Sequence, residues 1–494
     1  MNKYFITILM FSLFLCCSTL AKADDTSTTM ITLGQSTSQK TLSQIIACNL
    51  PVLYIETENQ EEPTCDVVSA PPGCWGSTIT NVNKVHSRMR IYKRISGMDS
   101  VVYDTGEFVK DVSGLTIRVR GNTSAREDKK PYKIKLQKKH DLLFRGVDSV
   151  YKDKEWVLLH DTYLLNSTAF RLSSIVGMQW VPAFCYVNVI INDNYRGVYM
   201  LTESVKRNPD CRLNVDKNCG FIYECDLYWW NEPVYVNSAY FSPSYNYTFK
   251  YPDEEDITEE QLTYMQGLVN RYEASLYNGT YPDLIDTHSF AAWCMIHDIM
   301  GTVDGGGCNR YFLKYDTTDA TKIIMPLTWD FDLSARASTA WSRCHLVYMK
   351  QLFNSTNRTF ALEFERLWWG IRDTFVSEID RQLLAFGNSD EGRGLQDSYH
   401  LDNTAWGRDL WFNNQVTSRR QWFPPRFNWI DARIREMHMP NDVNVDGVVN
   451  ITDALTLISM LLETRQRWQT ADVNNDGNIN IVDATSLINV LLEN

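Results

Sequence analysis

V303-DGGGCNRYFLKYDTTDATKIIMPLTWDF-D332 decides how the rest of the chain is read. Asp304 and Asn309 stand five residues apart in a glycine-rich loop. Arg310–Tyr315 alternates like a strand, DTTD makes a turn, and Ile323–Leu327 reads as a second apolar strand. That strand delivers Asp330, Phe331 and Asp332. One reading makes these acids and the Asn a chemical site. The plain alternative is a hairpin flanked by turn-forming Asp and Asn.

Working outward, the chain of 494 residues has room for one large domain and a small one. A net charge of −12 excludes the basic surface that nucleic acid requires. Residues 1–23 combine Lys3, the apolar run Phe5–Leu20 and the small-residue end Ala21-Lys22-Ala23, which reads as an export signal. No later apolar run is long enough to span a bilayer. The expected product is therefore secreted, either extracellular or held at a cell surface. Export makes disulfides an expectation, with Cys65–Cys74 and Cys211–Cys219 as plausible local loops. No CxxC pair supports zinc.

Residues 24–44, rich in Ser, Thr and Gln, read as a flexible lead-in to a domain spanning 45–438. In KKPYKIKL, Tyr132, Ile134 and Leu136 alternate with Lys133 and Lys135, placing both lysines on one strand face. Ser167–Val176 reads as a helix, and Phe184–Ile191 with Gly197–Leu201 as a strand pair ending near Glu203. Thr258 and Gln261 form a capping box for a helix that buries one face. Phe290–Met300 is a second helix, whose His297 fits packing better than catalysis. The segment ALEFERLWWGIRDTFVSEIDRQLLAF is helical, a polar stretch runs to Arg426, and FNWIDARIREMH closes the domain as a helix.

Residues 440–494 contain a repeat. DVNVDGVVNITD begins at Asp442 and DVNNDGNINIVD at Asp472, and both fit a twelve-residue calcium loop. The first offers Asp442, Asn444, Asp446, the Val448 carbonyl, Asn450 and Asp453. The second offers Asp472, Asn474, Asp476, the Asn478 carbonyl, Asn480 and Asp483. Each loop has a sharp-turn glycine, Gly447 or Gly477, and is followed by an apolar helix.

This duplicated loop–helix unit resembles a dockerin. The resemblance implies two Ca2+ ions and docking onto a cohesin-bearing scaffold, with Ile451, Thr452, Ile481 and Val482 at partner-facing positions. The segments LPVLYIET, IRVRGNTS with KKPYKIKL, EWVLLHD, GVYMLTES, GFIYECD, FKYPDEEDITEEQL, VDGGGCNRYF and LTWDFD resemble the spore-coat CotH kinase-like family, in its order. That resemblance implies an α+β, two-lobed, atypical protein-kinase fold using ATP with Mg2+ or Mn2+. It implies a catalytic role for Asp304 and metal ligation by Asp330, with Asn309 matching by its spacing and Asp332 beside it. It also implies a phosphate-binding Lys133 or Lys135, for which Glu203 is a candidate partner. The small C-terminal domain would be all-α. Ala125 and the LSAR segment after Asp332 depart from the family's usual residues. Three functions fit this reading. They are a Ser/Thr protein kinase docked to a cellulosome-like scaffold, a catalytically inactive binding module of an extracellular polysaccharide-degrading complex, and an enzyme moving another group from ATP.

Overall fold

The computed structural model describes residues 25–493 except 75, 147–149, 304–307, 337 and 343–347. The proposed export signal and Asp304 therefore lie outside the described residues.

The first half of the chain is a strand-rich layer. Its strands are β1 (Met30–Leu33), β2 (Gln39–Thr41), β3 (Val52–Thr57), β4 (Asp66–Ser69), β5 (Ser77–Thr80), β6 (Val85–Ile95), β7 (Met98–Asp104), β8 (Leu115–Val119), β9 (Tyr132–His140), β10 (Asp153–Leu159), β11 (Phe184–Ile191) and β12 (Asn194–Glu203). In the ten-stranded sheet, neighbours run β10-β9-β8-β6-β3-β11-β12, and β10 also pairs with β12. Seven strands thus close on themselves as a barrel. Alternate residues point inward, so Leu53, Ile55, Met89, Ile117, Ile134, Trp156, Val187 and Leu201 fill the interior. Trp156 is fully buried there, and its indole N–H donates to the Asp153 carbonyl at 3.2 Å. Trp156→Ala is expected to cost about 3–5 kcal/mol, seen as a lowered urea midpoint.

Residues 24–44 are not a loose lead-in. β1 pairs in parallel with β12, β2 folds back on β1, and helix α1 (Leu42–Ile46) follows with a capping box from Thr41 and Gln44. Polar composition concealed the few apolar anchors, Ile31, Leu33, Leu42 and Ile45, which are buried against Val52, Ile190 and Tyr195.

The second half carries a five-stranded sheet in the order β14-β15-β13-β16-β17. These strands are β13 (Phe221–Asp226), β14 (Tyr235–Asn237), β15 (Asn246–Tyr251), β16 (Arg310–Lys314) and β17 (Ile323–Ile324). The second strand of the opening hairpin is shorter than its apolar run. One face of this sheet packs under helices α3 (Glu259–Asn278), α4 (Thr287–Met300), α6 (Thr359–Gly387) and α8 (Phe412–Met437), around Tyr223, Phe312, Phe290 and Trp368. The other face meets the barrel, where Val157 and Leu159 of β10 contact Ile222, Tyr311 and Leu313. The element between the hairpin and α6 is the short helix α5 (Met349–Asn354). Helix α2 (Leu165–Val176) lies between β10 and β11.

Helix α7 (Asp390–Trp406) occupies part of the polar stretch that runs to Arg426. Its glycines masked the helical pattern, and Gly394 is there because a Cβ would sit 2.9 Å from the Cys48 carbonyl oxygen. The helix clasps the barrel through a buried ion pair, Lys129 Nζ to Asp402 Oδ1 at 2.5 Å. Helix α8 starts fifteen residues earlier than Phe427, running through Pro424 and Pro425. The buried Arg426 guanidinium, donating to the Asp298 and Ser338 carbonyls, fixes the helix at this point. His297 is packed: Nδ1 meets the Trp293 carbonyl at 2.9 Å, and burial drives its pKa down to about 3.

The C-terminal residues form helices α9 (Ile451–Leu461) and α10 (Ile481–Glu493), one after each calcium-type loop. No helix among the described residues is long and apolar enough to cross a membrane. Neither Cys65–Cys74 nor Cys211–Cys219 is bridged.

Candidate active site and calcium loops

The site lies where the barrel meets the second sheet. Cross-strand partners share a face. Arg118 of β8 pairs with Lys133, and Lys135 pairs with Glu155, so these charges occupy the outer barrel face together. Lys133 Nζ lies 2.7 Å from Glu155 Oε2, and Lys135 Nζ lies 3.7 Å from Oε1. Burial and the neighbouring Arg118 act on Lys133, whose pKa is lowered although Glu155 opposes the shift.

Glu203 is not the partner of either lysine. It pairs across the sheet with Trp156 and therefore points into the barrel. There its Oε1 accepts from Arg145 Nη2 at 2.9 Å and its Oε2 from the Ala183 amide at 3.0 Å. The strand period of two separates the charges: 133, 135 and 155 face out, while 156 and its partner 203 face in.

Across the cleft, the sheet opposite is acidic. Ile222, Glu224 and Asp226 alternate on β13 toward the barrel, opposite Leu313 and Tyr311. The Asn309 amide donates to Glu224 Oε1 at 2.7 Å, and the Asn309 side chain is near enough to Asp330 to pull its pKa down. Asn309 and Asp330 both adopt left-handed backbone, φ 63° and 61°, a conformation that Asn and Asp tolerate better than other side chains. The hairpin thus brings two of the sequence-predicted residues together. Asp332 is held by Asn166 at the start of α2: Nδ2 donates to Asp332 Oδ1 at 2.6 Å, and Oδ1 accepts the Phe331 amide at 2.8 Å.

Burial raises the Asp330 carboxyl pKa, with Arg120 and Asn309 pulling the other way. Burial also raises Asp332, and the charge of Asp330 adds to it. Two carboxylates this close ionise together at a cost that a bound cation would remove. Among the described residues no three His, Cys, Asp or Glu side chains form a ready metal cage. Mg2+ is commonly held by one or two protein carboxylates plus substrate phosphates and water. Asn309 and Asp330 fit that role, with Asp332 close by.

Arg120, Glu224, Asp226 and Asn166 were not singled out by the sequence reading. The signal for the first acids was present, because two carboxylates at alternate positions of a buried strand have no structural reason to be there. Lys250 Nζ lies 3.3 Å from Glu224 Oε2. Burial, then the charge of Glu224, pushes Asp226 up to about 7. The folded state then binds a proton more tightly than the unfolded chain. The stabilisation contributed by Asp226 is fully present below about pH 4 and is lost as pH rises toward 7, by at most about 1.4 kcal/mol per pH unit. Thermal melts across that window should show this slope, and Asp226→Asn should flatten it.

Beyond Asp332 a cavity of 530 Å³ opens, bounded by Glu127, His160, Asp161, Arg336 and Arg408. Asp161 is buried at the start of α2 and accepts from the Asn166 and Ser167 amides and the Tyr186 hydroxyl, at 2.8, 3.0 and 2.7 Å.

The two calcium-type loops share one hydrogen-bond pattern. Asp442 accepts from the amides of Asp446 and Gly447 at 3.0 and 2.8 Å, and Asp472 from those of Asp476 and Gly477 at 3.0 and 2.9 Å. Asp446 accepts the Val448 amide and Asp476 the Asn478 amide. Asp453 reaches back to the Asn444 and Asn450 amides, and Asp483 to those of Asn474 and Asn480. These bonds hold each loop's acids in the same arrangement. Burial, with repulsion from Asp442 and Asp446, raises the Asp453 carboxyl, which fits a site built for a cation. The side-chain oxygens of Asn450 and Asn480 are taken up capping α9 and α10, through the Thr452 and Val482 amides.

In comparison with known proteins, the family described as CotH kinase protein matches residues 117–383, from within β8 to within α6. The dockerin type I domain matches residues 440–492, both loops and their helices. No curated protein matches the chain. Since the first match takes in more than half of the sequence and every element that builds the cleft, this chain belongs to the CotH kinase protein family and ends in a dockerin type I domain.

Proposed function

We propose that the chain is an exported, two-lobed atypical protein kinase. It transfers the γ-phosphoryl group of ATP to a Ser/Thr hydroxyl of a protein, and its dockerin holds it to a cohesin-bearing scaffold. The observation that carries this reading is the meeting of Asn309 and Asp330 opposite Arg120 and the basic face of the barrel. Asn309 and Asp330, with Asp332 adjacent, would hold Mg2+, which neutralises phosphate charge when bound. Arg118, Arg120 and Lys133 supply positive charge for the phosphates. Asp304 is assigned the acceptor hydroxyl's proton. Lys133 is the stronger candidate of the two lysines, being the more enclosed, with 29% side-chain exposure against 60% for Lys135. Lys133→Met should therefore lower transfer at least tenfold more than Lys135→Met in initial-rate assays.

A second reading, a binding module without turnover, draws on Lys133 and Glu155 already satisfying each other. Incubation with γ- and α-labelled ATP, Mg2+ or Mn2+, and a Ser-rich acceptor separates the readings. Label from the γ position alone is the expected result. Label from the α position means nucleotidyl transfer. No label and no ATP-dependent thermal shift would overturn both enzyme readings.

A further inference from the structure

The two calcium loops begin almost identically, DVNVDG and DVNNDG, and differ at their fourth place, Val445 against Asn475. The backbone is left-handed at both, with φ of 57° and 58°. Asn adopts that conformation readily, whereas a β-branched Val is among the residues least suited to it. A valine here works against the geometry of its own loop, so something outside the loop must offset it.

That compensation lies on α6. Val445 is 0% exposed and belongs to the core of the large domain, while Asn475 is exposed. Arg366 of α6 donates Nη2 to the Val445 carbonyl at 2.7 Å and Nη1 to Glu363 at 2.8 Å. Glu363 in turn meets His288 of α4 at 2.7 Å. A Cβ added to Gly447 would lie 2.9 Å from Leu362, whereas one on Gly477 would meet nothing within 4 Å. Trp468, between the repeats, packs against the same core beside Gly370. The first loop is therefore seated on the large domain, whereas the second faces Trp369 and Arg435 across a cavity of about 280 Å³.

We infer that the first calcium loop is a fastener between the dockerin and helix α6, so that calcium held there, and not in the second loop, stabilises the α4–α6 layer. Without a cation, Asp442, Asp446 and Asp453 repel one another, the loop opens, and Val445 leaves its left-handed seat. Whatever holds the loop closed therefore also holds α6 covered, by linkage. The inference is independent of phosphoryl transfer.

Hydrogen exchange read by mass spectrometry on the full chain tests it, with excess Ca2+ or with EGTA. Amides of residues 359–371 should exchange roughly tenfold or more slowly with Ca2+. Asp446→Ala should remove that difference, and Asp476→Ala should leave it. Val445→Asn copies the second loop and keeps every ligand. It should still bind two Ca2+ by calorimetry, yet lose the calcium-dependent protection of α6. The inference is overturned by α6 protection that ignores Ca2+ in the wild-type chain, by Asp476→Ala removing it as fully as Asp446→Ala, or by Val445→Asn retaining it.

Discussion

Asp330→Asn is expected to lower γ-phosphoryl transfer by roughly a thousandfold or more, a loss of about 4 kcal/mol of charge stabilisation. The amide keeps the shape and the left-handed backbone but supplies no charge to a cation. The same change should leave the fold intact or firmer. Burial and the charge of Glu224 already disfavour an ionised Asp330, and its charge in turn disfavours an ionised Asp332, so removing that charge relieves these costs. The diagnostic outcome is a split: transfer lost, melting temperature held or raised. A variant that loses transfer and melts early would point to a structural role, and one that retains transfer would refute the metal assignment.

Calcium removal is expected to have the other large effect. Each loop's acids are held by amides of their own loop, and only short apolar helices follow them, with a small core of Val443, Leu457, Met460 and Leu487. In EGTA, affinity for an immobilised cohesin should weaken by roughly a thousandfold or more, because binding energy for the metal is also folding energy. Ile451 and Ile481, at 63% and 69% exposure, remain free to meet a partner while the first loop is seated on α6. Asp442→Ala with Asp472→Ala should reproduce the EGTA result in calcium. Retention on cohesin in EGTA would contradict the assignment.

What could be seen in the sequence was local. The capping box of Thr258 and Gln261, the helical spacing after it, and both calcium loops depend on residues a few places apart, and each is present. Partnerships set by topology were less accessible. Glu203 seemed available to Lys133 because strand faces cannot be compared until register is known, and the barrel closure placed them on opposite sides. β1 needed β12, more than 150 residues away, to become a strand. α7 was hidden by its glycines, of which Gly394 allows close approach to Cys48. Glu224 and Asp226 read as part of an ordinary strand until the neighbouring barrel gave them something to face.

The pairing of β10 with β12 has a further consequence for how the protein comes into being. Strands β3 to β10 can meet as hairpins while the chain is emerging, but the ring lacks its last two members until residue 203 is available. Until then the broad indole of Trp156 has no interior to enter, and strands β3 and β10 present bare edges to any neighbouring chain. Such long-range closure is slow compared with hairpin formation. An N-terminal fragment ending before Asn194 is therefore expected to be recovered as aggregate, whereas one that includes β12 has the strands to form a sealed surface.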